Sequence, residues 1–267
     1  MLFLRRLPRS SVCSLALRHA VRPISSSSPL GSENHKSLVG NFARIDHSRT
    51  KRTNFPEAVF GEDKTPSEIC KILKNMMDHS RSGSGDGIRP PILATRVREE
   101  MWNEIEDIAG GFDFKSKGFA MEYCNRAKIV QLRRIVDEVD EGCEGRIDSP
   151  SETRDRTIRR RKVAIVTAGT TDINIAEEAN VVLKACNVET KCIYDCGVAG
   201  LHRIINALPE LTDEEVGCVI VCAGMDGALP SVVAGLVRVP VIAVPTSVGY
   251  GASFNGVAAL LTMLNSW

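Results

Sequence analysis

The sequence has few aromatic residues, little net charge and no long apolar run. Aromatic side chains make up 5% of the 267 residues, too few for the base-stacking surfaces of single-strand-binding proteins. The formal charge of +1 offers no electrostatic footprint for nucleic acid or a membrane surface. Since no stretch of 18 apolar residues occurs, no transmembrane helix is predicted. We therefore expect neither a nucleic-acid partner nor a membrane partner.

Paired cysteine motifs are also absent. The nine cysteines are too scattered for a disulfide scaffold, and none form a CxxC pair. Structural zinc favours such short spacings, so the loose group Cys186, Cys192 and Cys196 does not predict a metal site. We expect buried thiols in a reducing compartment.

The amino terminus has the composition of an organellar presequence. Residues 1–40 are rich in arginine and serine, and the first acidic residue is Glu33. This pattern predicts a transit peptide that directs the protein to a mitochondrion or chloroplast. A disordered basic arm is the alternative.

Residues 41–97 form the first structured segment, with a helix that begins at Thr65 and Pro66 and has Glu68 in its first turn. "ILATRV", residues 92–97, predicts a short strand. Residues 98–161 are predicted to be a helical insertion followed by a charged linker. Its main helix would carry the following apolar residues on one side: Ile129, Leu132, Ile135, Val136 and Val139. The amino-terminal region is thus expected to be small and mostly helical.

Residues 162–267 have a different pattern, in which four Val/Ile-rich strands alternate with four helices. The strands are predicted in "VAIVTAG", "ETKCIYDCG", "VGCVIVCAG" and "VPVIAVPT". Near-continuous apolar strands are typical of a parallel sheet covered on both faces, so we predict a three-layer α/β fold.

Glycine and short polar residues follow each predicted strand. In open α/β sheets, ligands bind beyond the carboxyl ends of the strands, and glycines let the backbone approach an anion. Neither a GxxxxGK[ST] loop nor a GxGxxG fingerprint occurs, which disfavours P-loop ATPases and ordinary Rossmann dehydrogenases. We therefore predict a site for a small nucleotide ligand. The candidate substrate- and phosphate-binding residues are Gly169, Thr170, Thr171, His202, Arg203, Gly224, Ser247, Gly249, Tyr250, Gly251 and Ser253.

Two carboxylates at these strand ends are candidate catalytic residues. Asp172 is either a helix N-cap or a group that grips a ribose hydroxyl or assists proton transfer. Asp226 stands between two glycines and should face the crevice, while Asp195 flanks the second loop. Arg203 could pair with a phosphate, and Tyr250 could stack on a ring.

Four motifs, "VAIVTAGTTD", "YDCGVAGLHR", "AGMDGALPSVVAGL" and "VPVIAVPTSVGYGASFNG", together with "RTNFPEAVFGEDKT" upstream, closely resemble the LarB family. The resemblance covers about residues 43–97 and 162–266 and implies a PurE-like, flavodoxin-like carboxy-terminal domain that assembles into homo-oligomers, tetramers or octamers. LarB enzymes carboxylate the pyridinium ring of nicotinic acid adenine dinucleotide and hydrolyse its phosphoanhydride. The products are pyridinium-3,5-biscarboxylic acid mononucleotide and AMP. Carbon dioxide or bicarbonate would be the co-substrate, and Asp226 would support proton transfer or a Mg²⁺ ion.

Two other functions stay open. Aminoimidazole ribonucleotide carboxylases of purine biosynthesis, the PurE proteins, carry a histidine where this sequence has Ala228, which counts against that activity. LarB enzymes use a cysteine just after "MLNS" to activate the ring, whereas Trp267 follows here. We expect, in order of preference, a truncated or alternatively spliced product, a non-catalytic nucleotide-binding subunit, or another residue in place of the thiol. Cys222 is the candidate stand-in, although a core thiol is the expected role.

Overall fold

The computed structural model describes residues 38–53, 55–82, 90–135 and 161–266. Most of the expected transit peptide, most of the charged linker and Trp267 lie outside these residues. The amino-terminal part comprises a short hairpin, a four-stranded sheet and three helices. Its elements are β1 (Leu38–Val39), β2 (Ala43–Arg44), α1 (Arg49–Thr53), β3 (Ala58–Phe60), α2 (Pro66–Ser82), β4 (Ile92–Thr95), α3 (Glu99–Gly110), β5 (Phe119–Cys124) and β6 (Ile129–Arg134).

The four-stranded sheet has the order β3-β4-β6-β5, in which β3 and β4 are parallel and the other pairs are antiparallel. Helix α2, which connects β3 to β4, begins where the sequence predicts. The Glu68 carboxylate accepts the Thr65 backbone N–H at 2.8 Å, and the Thr65 hydroxyl accepts the Glu68 N–H at 3.3 Å. This reciprocal capping box satisfies two donors that a helix start leaves unpaired.

The prediction of a helix over residues 125–142 is wrong at residues 129–134, and strands accompany the helices predicted for the amino-terminal region. Residues 129–134 form strand β6, and β5 pairs with it in antiparallel register. Ile129 packs in one apolar cluster, while Val130 and Leu132 pack in another, so consecutive residues are buried. A strand covered on both faces produces an apolar run whose spacing also fits a helix, which explains the error.

The carboxy-terminal part is the parallel α/β domain that the sequence predicts. Its elements are β7 (Lys162–Thr167), α4 (Ile173–Ala185), β8 (Thr190–Ile193), α5 (Leu201–Leu211), β9 (Val216–Ala223), α6 (Leu229–Ala234), β10 (Val241–Pro245) and α7 (Val257–Leu264). The sheet order is β10-β9-β7-β8, and every pair is parallel. The prediction of a three-layer α/β fold is confirmed.

Helix α4 lies between the two sheets. One side of it places Ala176 against Ile165 of β7, and another side places Val181 in a cluster with Leu93 and Ile129 of the amino-terminal sheet. Helices α5 and α6 contribute to a separate cluster with the strands of the parallel sheet. No helix in the described ranges is both long enough and apolar enough to cross a membrane.

Candidate functional site

The strand order places a crevice between β7 and β9. The chain passes from β7 to β8 on one side and then returns to β9 on the other side of β7. Ligands bind at such switch points because the loops leaving the two strands diverge. A cavity of about 650 Å³ lies here, lined by residues that follow β7, β8, β9 and β10. That volume suits a small ligand.

Two glycines allow the loops around the cavity to approach one another. A Cβ atom on Gly224 would lie 2.2 Å from the Val248 carbonyl oxygen, and one on Gly197 would lie 2.6 Å from the Ala168 carbonyl oxygen. No other residue can occupy these positions without moving backbone. The Met225 N–H also donates to Val248 at 2.8 Å, which ties the loop after β9 to the loop after β10.

The structure brings together eight of the thirteen predicted site residues. Those that line the cavity are Gly169, Thr171, Asp172, Arg203, Gly224, Asp226, Tyr250 and Ser253. The other five are exposed and do not line it: Thr170, Ser247, Gly249 and Gly251 lie in the same loops, and His202 lies in the first turn of α5. Their predicted roles in binding stay predictions.

Asp172 occupies a different position from the one expected of a free catalytic carboxylate. It is buried, its Oδ2 accepts the Gly169 N–H at 2.9 Å, and its Oδ1 accepts the Thr246 hydroxyl at 2.6 Å. Neither contact is an N-cap bond to helix α4. Asp172 therefore joins the loop after β7 to the loop after β10, and this arrangement favours a structural role over proton transfer.

Arg203 forms an ion pair at the cavity wall. Its Nη1 lies 2.6 Å from Oδ1 of Asp195, and its Nη2 donates to the Gly197 carbonyl oxygen at 3.4 Å. Asp195 was not among the predicted binding residues, although it follows β8 just as Gly169 follows β7. The rule that ligands bind at carboxyl ends of strands provides the signal that would have found it.

Asp226 is an exposed carboxylate of the site. Its Oδ1 accepts the Ala228 N–H at 3.3 Å, and no described protein group donates a hydrogen bond to its Oδ2. The left-handed backbone of Met225, at φ 55°, and of Gly227, at φ 67°, turns this loop tightly around it. Asp226 is therefore available to a ligand, as predicted for a proton-transfer residue.

The rest of the wall is apolar, with one unpaired hydroxyl. Ala252, Ala258, Leu229 and Val248 line this side. Ser253 is 5% exposed, and its Oγ has no hydrogen-bond partner within the described ranges. Tyr250 is 81% exposed, so its ring is free to contact a bound ligand.

The charged groups of the cavity are unbalanced. Asp172, Asp195 and Asp226 provide three carboxylates, and Arg203 provides the single cation among the described lining residues. No histidine is among these lining residues. Throughout the described ranges, no group of three or more His, Cys, Asp or Glu side chains is arranged to hold a metal ion.

The described cysteines do not line the cavity. Cys222 is fully buried at the end of β9, and burial raises the pKa of its thiol to about 12, with the nearby Asp172 carboxylate adding to the shift. Burial also raises the pKa of Cys196. Both thiols are therefore protonated at neutral pH and suit a packing role better than a nucleophilic one.

Two family models match the chain. Residues 36–134 match the LarB/PurE-like N-terminal domain, and residues 162–266 match the AIR carboxylase domain. The first match spans residues 98–134 as well as residues 41–97, and it begins at residue 36.

Three curated proteins are similar to this chain. An uncharacterized protein of Methanocaldococcus jannaschii is 36% identical over 235 residues, which is 87% of this chain and 78% of that protein. The N5-carboxyaminoimidazole ribonucleotide mutase of Pyrococcus abyssi is 35% identical over 107 residues, 39% of this chain and 58% of the mutase. The corresponding mutase of M. jannaschii is 37% identical over 105 residues, 38% of this chain and 59% of the mutase.

Proposed function

The chain belongs to the LarB/PurE-like family, and on that premise we propose that it acts on nicotinic acid adenine dinucleotide as LarB enzymes do. The reaction would consume the dinucleotide, carbon dioxide and water, and it would release pyridinium-3,5-biscarboxylic acid mononucleotide and AMP. The ligand would occupy the 650 Å³ cavity at the ends of β7 and β9.

The observation that carries this proposal is the charge of the cavity. Among the described residues, three carboxylates and one guanidinium line it, and opposite charges attract where solvent is partly excluded. A ligand that carries a positive charge near its anionic groups suits such a wall. The pyridinium ring of the dinucleotide has that property, because its ring nitrogen is cationic while its phosphates are anionic.

In this proposal, the described residues have separate roles in phosphate binding, ring binding and proton transfer. The guanidinium of Arg203 and the N–H groups of Thr170 and Thr171 would hold the phosphates. The apolar wall at Ala252 and Ala258 would contact the pyridinium ring, with Tyr250 at the mouth of the cavity. Asp226, whose Oδ2 accepts no hydrogen bond from the described residues, would accept the proton that leaves the ring carbon when a carboxylate replaces it.

A purine-pathway mutase is the first alternative, because two relatives carry that name. Ala228 stands at the position of the histidine expected of PurE proteins, and no described residue that lines the cavity is a histidine. A carboxyl shift between nitrogen and carbon needs a group that moves a proton. Rescue of a purine-requiring host by this gene would favour the alternative.

A non-catalytic nucleotide-binding subunit is the second alternative. A pyridinium ring must first gain electron density from a nucleophile before it can attack carbon dioxide, and a thiolate suits that step. None of the described cysteines lines the cavity, and burial raises the pKa of Cys222 to about 12. Binding with no turnover is the result that this alternative predicts.

Labelled bicarbonate distinguishes these functions. The purified full-length chain is incubated with nicotinic acid adenine dinucleotide and ¹⁴C-bicarbonate, and AMP and acid-stable label are measured separately. We expect both products, and their loss in Asp226→Asn but not in Asp107→Asn, an exposed aspartate of α3. Thermal stabilisation by the dinucleotide without AMP or label would indicate a binding subunit. No stabilisation and no products would reject the proposal.

Magnesium is proposed as a component carried by the substrate. Mg²⁺ in phosphate sites is usually held by one or two carboxylates together with substrate phosphates, and Asp226 offers one available carboxylate oxygen. When bound, the ion would neutralise phosphate charge. Loss of AMP release on EDTA treatment, restored by added Mg²⁺, is the expected result.

We also propose that the chain forms a homo-oligomer. Helix α7 exposes 54% of Leu261 and 71% of Leu264, and β10 exposes 51% of Ile242. Clustered exposed apolar side chains are typical of protein interfaces. Light scattering would give the size of the assembly.

We propose in addition that residues 1–40 direct the chain to a mitochondrion or chloroplast. The location of a fluorescent protein fused to residues 1–40 would test this targeting.

A further inference from the structure

Asp195 partly neutralises Arg203, the one cation among the described residues of the cavity wall. Its Oδ1 lies 2.6 Å from Nη1 of Arg203, and both residues line the cavity. The two side chains are 48% and 34% exposed, so a ligand can reach them. Exposed ion pairs contribute little to folding stability, and stability alone is therefore a weak reason for this pair.

The backbone holds Asp195 firmly next to the guanidinium. Asp195 has a left-handed conformation at φ 59°, which Asp and Asn tolerate better than most residues. Its N–H donates to the hydroxyl of Thr167 at 3.0 Å, and Thr167 is fully buried. The carboxylate therefore stands on a rigid support at the end of β7.

Two glycines confine the guanidinium from the other side. A Cβ atom on Gly200 would lie 3.0 Å from Nε of Arg203, and one on Gly197 would lie 3.3 Å from its Nη2. In the described structure Nε has no protein acceptor, since the recorded contacts of Arg203 use Nη1 and Nη2. Arg203 therefore lines the cavity with one donor that no protein group accepts, while its charge is offset by Asp195.

We propose that Asp195 is a specificity-determining residue that favours a singly charged phosphate over a doubly charged one. This inference rests on the proposed dinucleotide-binding function. A phosphate within a diester or anhydride carries one negative charge, whereas a terminal phosphate carries close to two at neutral pH. The repulsion between Asp195 and the nearest phosphate is proportional to the charge of that phosphate. It therefore raises the free energy of binding about twice as much for a terminal phosphate as for a phosphate within an anhydride, which doubles the effect on the logarithm of the dissociation constant.

The test compares a pyridine dinucleotide with the corresponding mononucleotide, which carries a terminal phosphate. Dissociation constants of nicotinic acid adenine dinucleotide and nicotinic acid mononucleotide are measured by calorimetry for the wild-type protein and Asp195→Asn. Asparagine keeps the shape of the side chain and tolerates the left-handed backbone. We expect dinucleotide affinity to rise about threefold and mononucleotide affinity about tenfold.

Two further variants make the result specific. Asp107→Asn removes the same charge from an exposed position on α3 and should leave both constants unchanged. Arg203→Gln should weaken binding of the mononucleotide more than binding of the dinucleotide, which is the opposite of the change expected for Asp195→Asn. Melting temperatures show whether each variant is folded.

An equal change for both ligands in Asp195→Asn, or no change, would overturn the role of Asp195 while the dinucleotide still binds. Failure of the wild-type protein to bind either ligand would instead overturn the proposed function, and this inference with it.

Discussion

The bond between Thr246 and Asp172 joins two loops of the candidate site across 74 residues of sequence, and its removal should be costly. The substitution Thr246→Val keeps the volume of the side chain and removes the hydroxyl. Asp172 is 3% exposed, so water cannot easily replace the donor that its Oδ1 loses. Its Oδ2 still accepts the Gly169 N–H at 2.9 Å.

The expected loss follows from the charge and burial of the acceptor. Hydrogen bonds to charged groups contribute about 1.5–3 kcal/mol, and a buried acceptor left with one donor fewer adds to the effect. We expect Thr246→Val to lower the free energy of unfolding by about 2 kcal/mol. For the compact unit formed by residues 37–267, that loss corresponds to a fall in melting temperature of roughly 4–8 °C.

Thr212→Val is the matched control, because the Thr212 hydroxyl is exposed and donates to the Leu208 carbonyl oxygen at 2.9 Å within its own helix end. Its expected effect is less than about 0.5 kcal/mol. The two variants are compared by urea unfolding, and a double-mutant cycle with Asp172→Asn isolates the pairwise energy. Equal stabilities of Thr246→Val and Thr212→Val, or no coupling in the cycle, would refute the structural role of Asp172.

Three further predictions test the fold. Ile129→Ala should cost about 3 kcal/mol of unfolding free energy because Ile129 is fully buried, whereas Ile135→Ala, at a 43% exposed position, should cost little. Similar losses would contradict the assignment of β6. Gly224→Ala should abolish dinucleotide binding in calorimetry, because its Cβ would lie 2.2 Å from the Val248 carbonyl oxygen in the loop after β10. Gly110→Ala is the control and should leave binding intact, because its Cβ would have no neighbour within 4 Å. A hydrogen bond from the Thr65 backbone N–H lowers the pKa of Glu68 in the folded protein. The ionised Glu68 carboxylate therefore adds to the free energy of unfolding above the pKa that it has in the unfolded chain, and this contribution is lost as the pH falls through its folded-state pKa. The stability difference between wild type and Glu68→Gln, measured by urea unfolding from pH 7 to pH 3, should therefore shrink in acid, and a constant difference would exclude the capping box as its cause.

The parallel sheet could be predicted from sequence because β7, β9 and β10 are rich in Val and Ile and glycine or proline stands at or near the strand ends. Those local signals also place the glycine-rich loops at the carboxyl ends of β7–β10, which explains why most candidate residues meet at one cavity. Strand β6 could not be predicted in this way. Ile129, Val130 and Leu132 are buried by packing on both faces of a sheet, and that environment depends on α2, α3 and α4.

Contacts between loops were also beyond local patterns. The bond from Thr246 to Asp172 depends on β10 lying beside β9, which sets the distance between loops that are remote in sequence. The pairing of Asp195 with Arg203 depends on the turn at Val198–Gly200, which brings the start of α5 back toward β8. In each case the residue types indicated a polar site, while the fold decided which groups are free to contact a ligand.

Helix α4 connects the amino-terminal sheet to the wall of the cavity. It begins at Ile173, directly after the Gly169–Asp172 loop that lines the cavity, and its second half packs Val181 and Ala185 against Leu93 and Ile129. A single helix buried on two sides has little freedom to shift, because interiors are packed closely and resist displacement. The amino-terminal sheet therefore fixes the position of the loop at which the ligand's anionic groups would bind. This gives the LarB-type domain a physical role in the site even though none of its described residues lines the cavity.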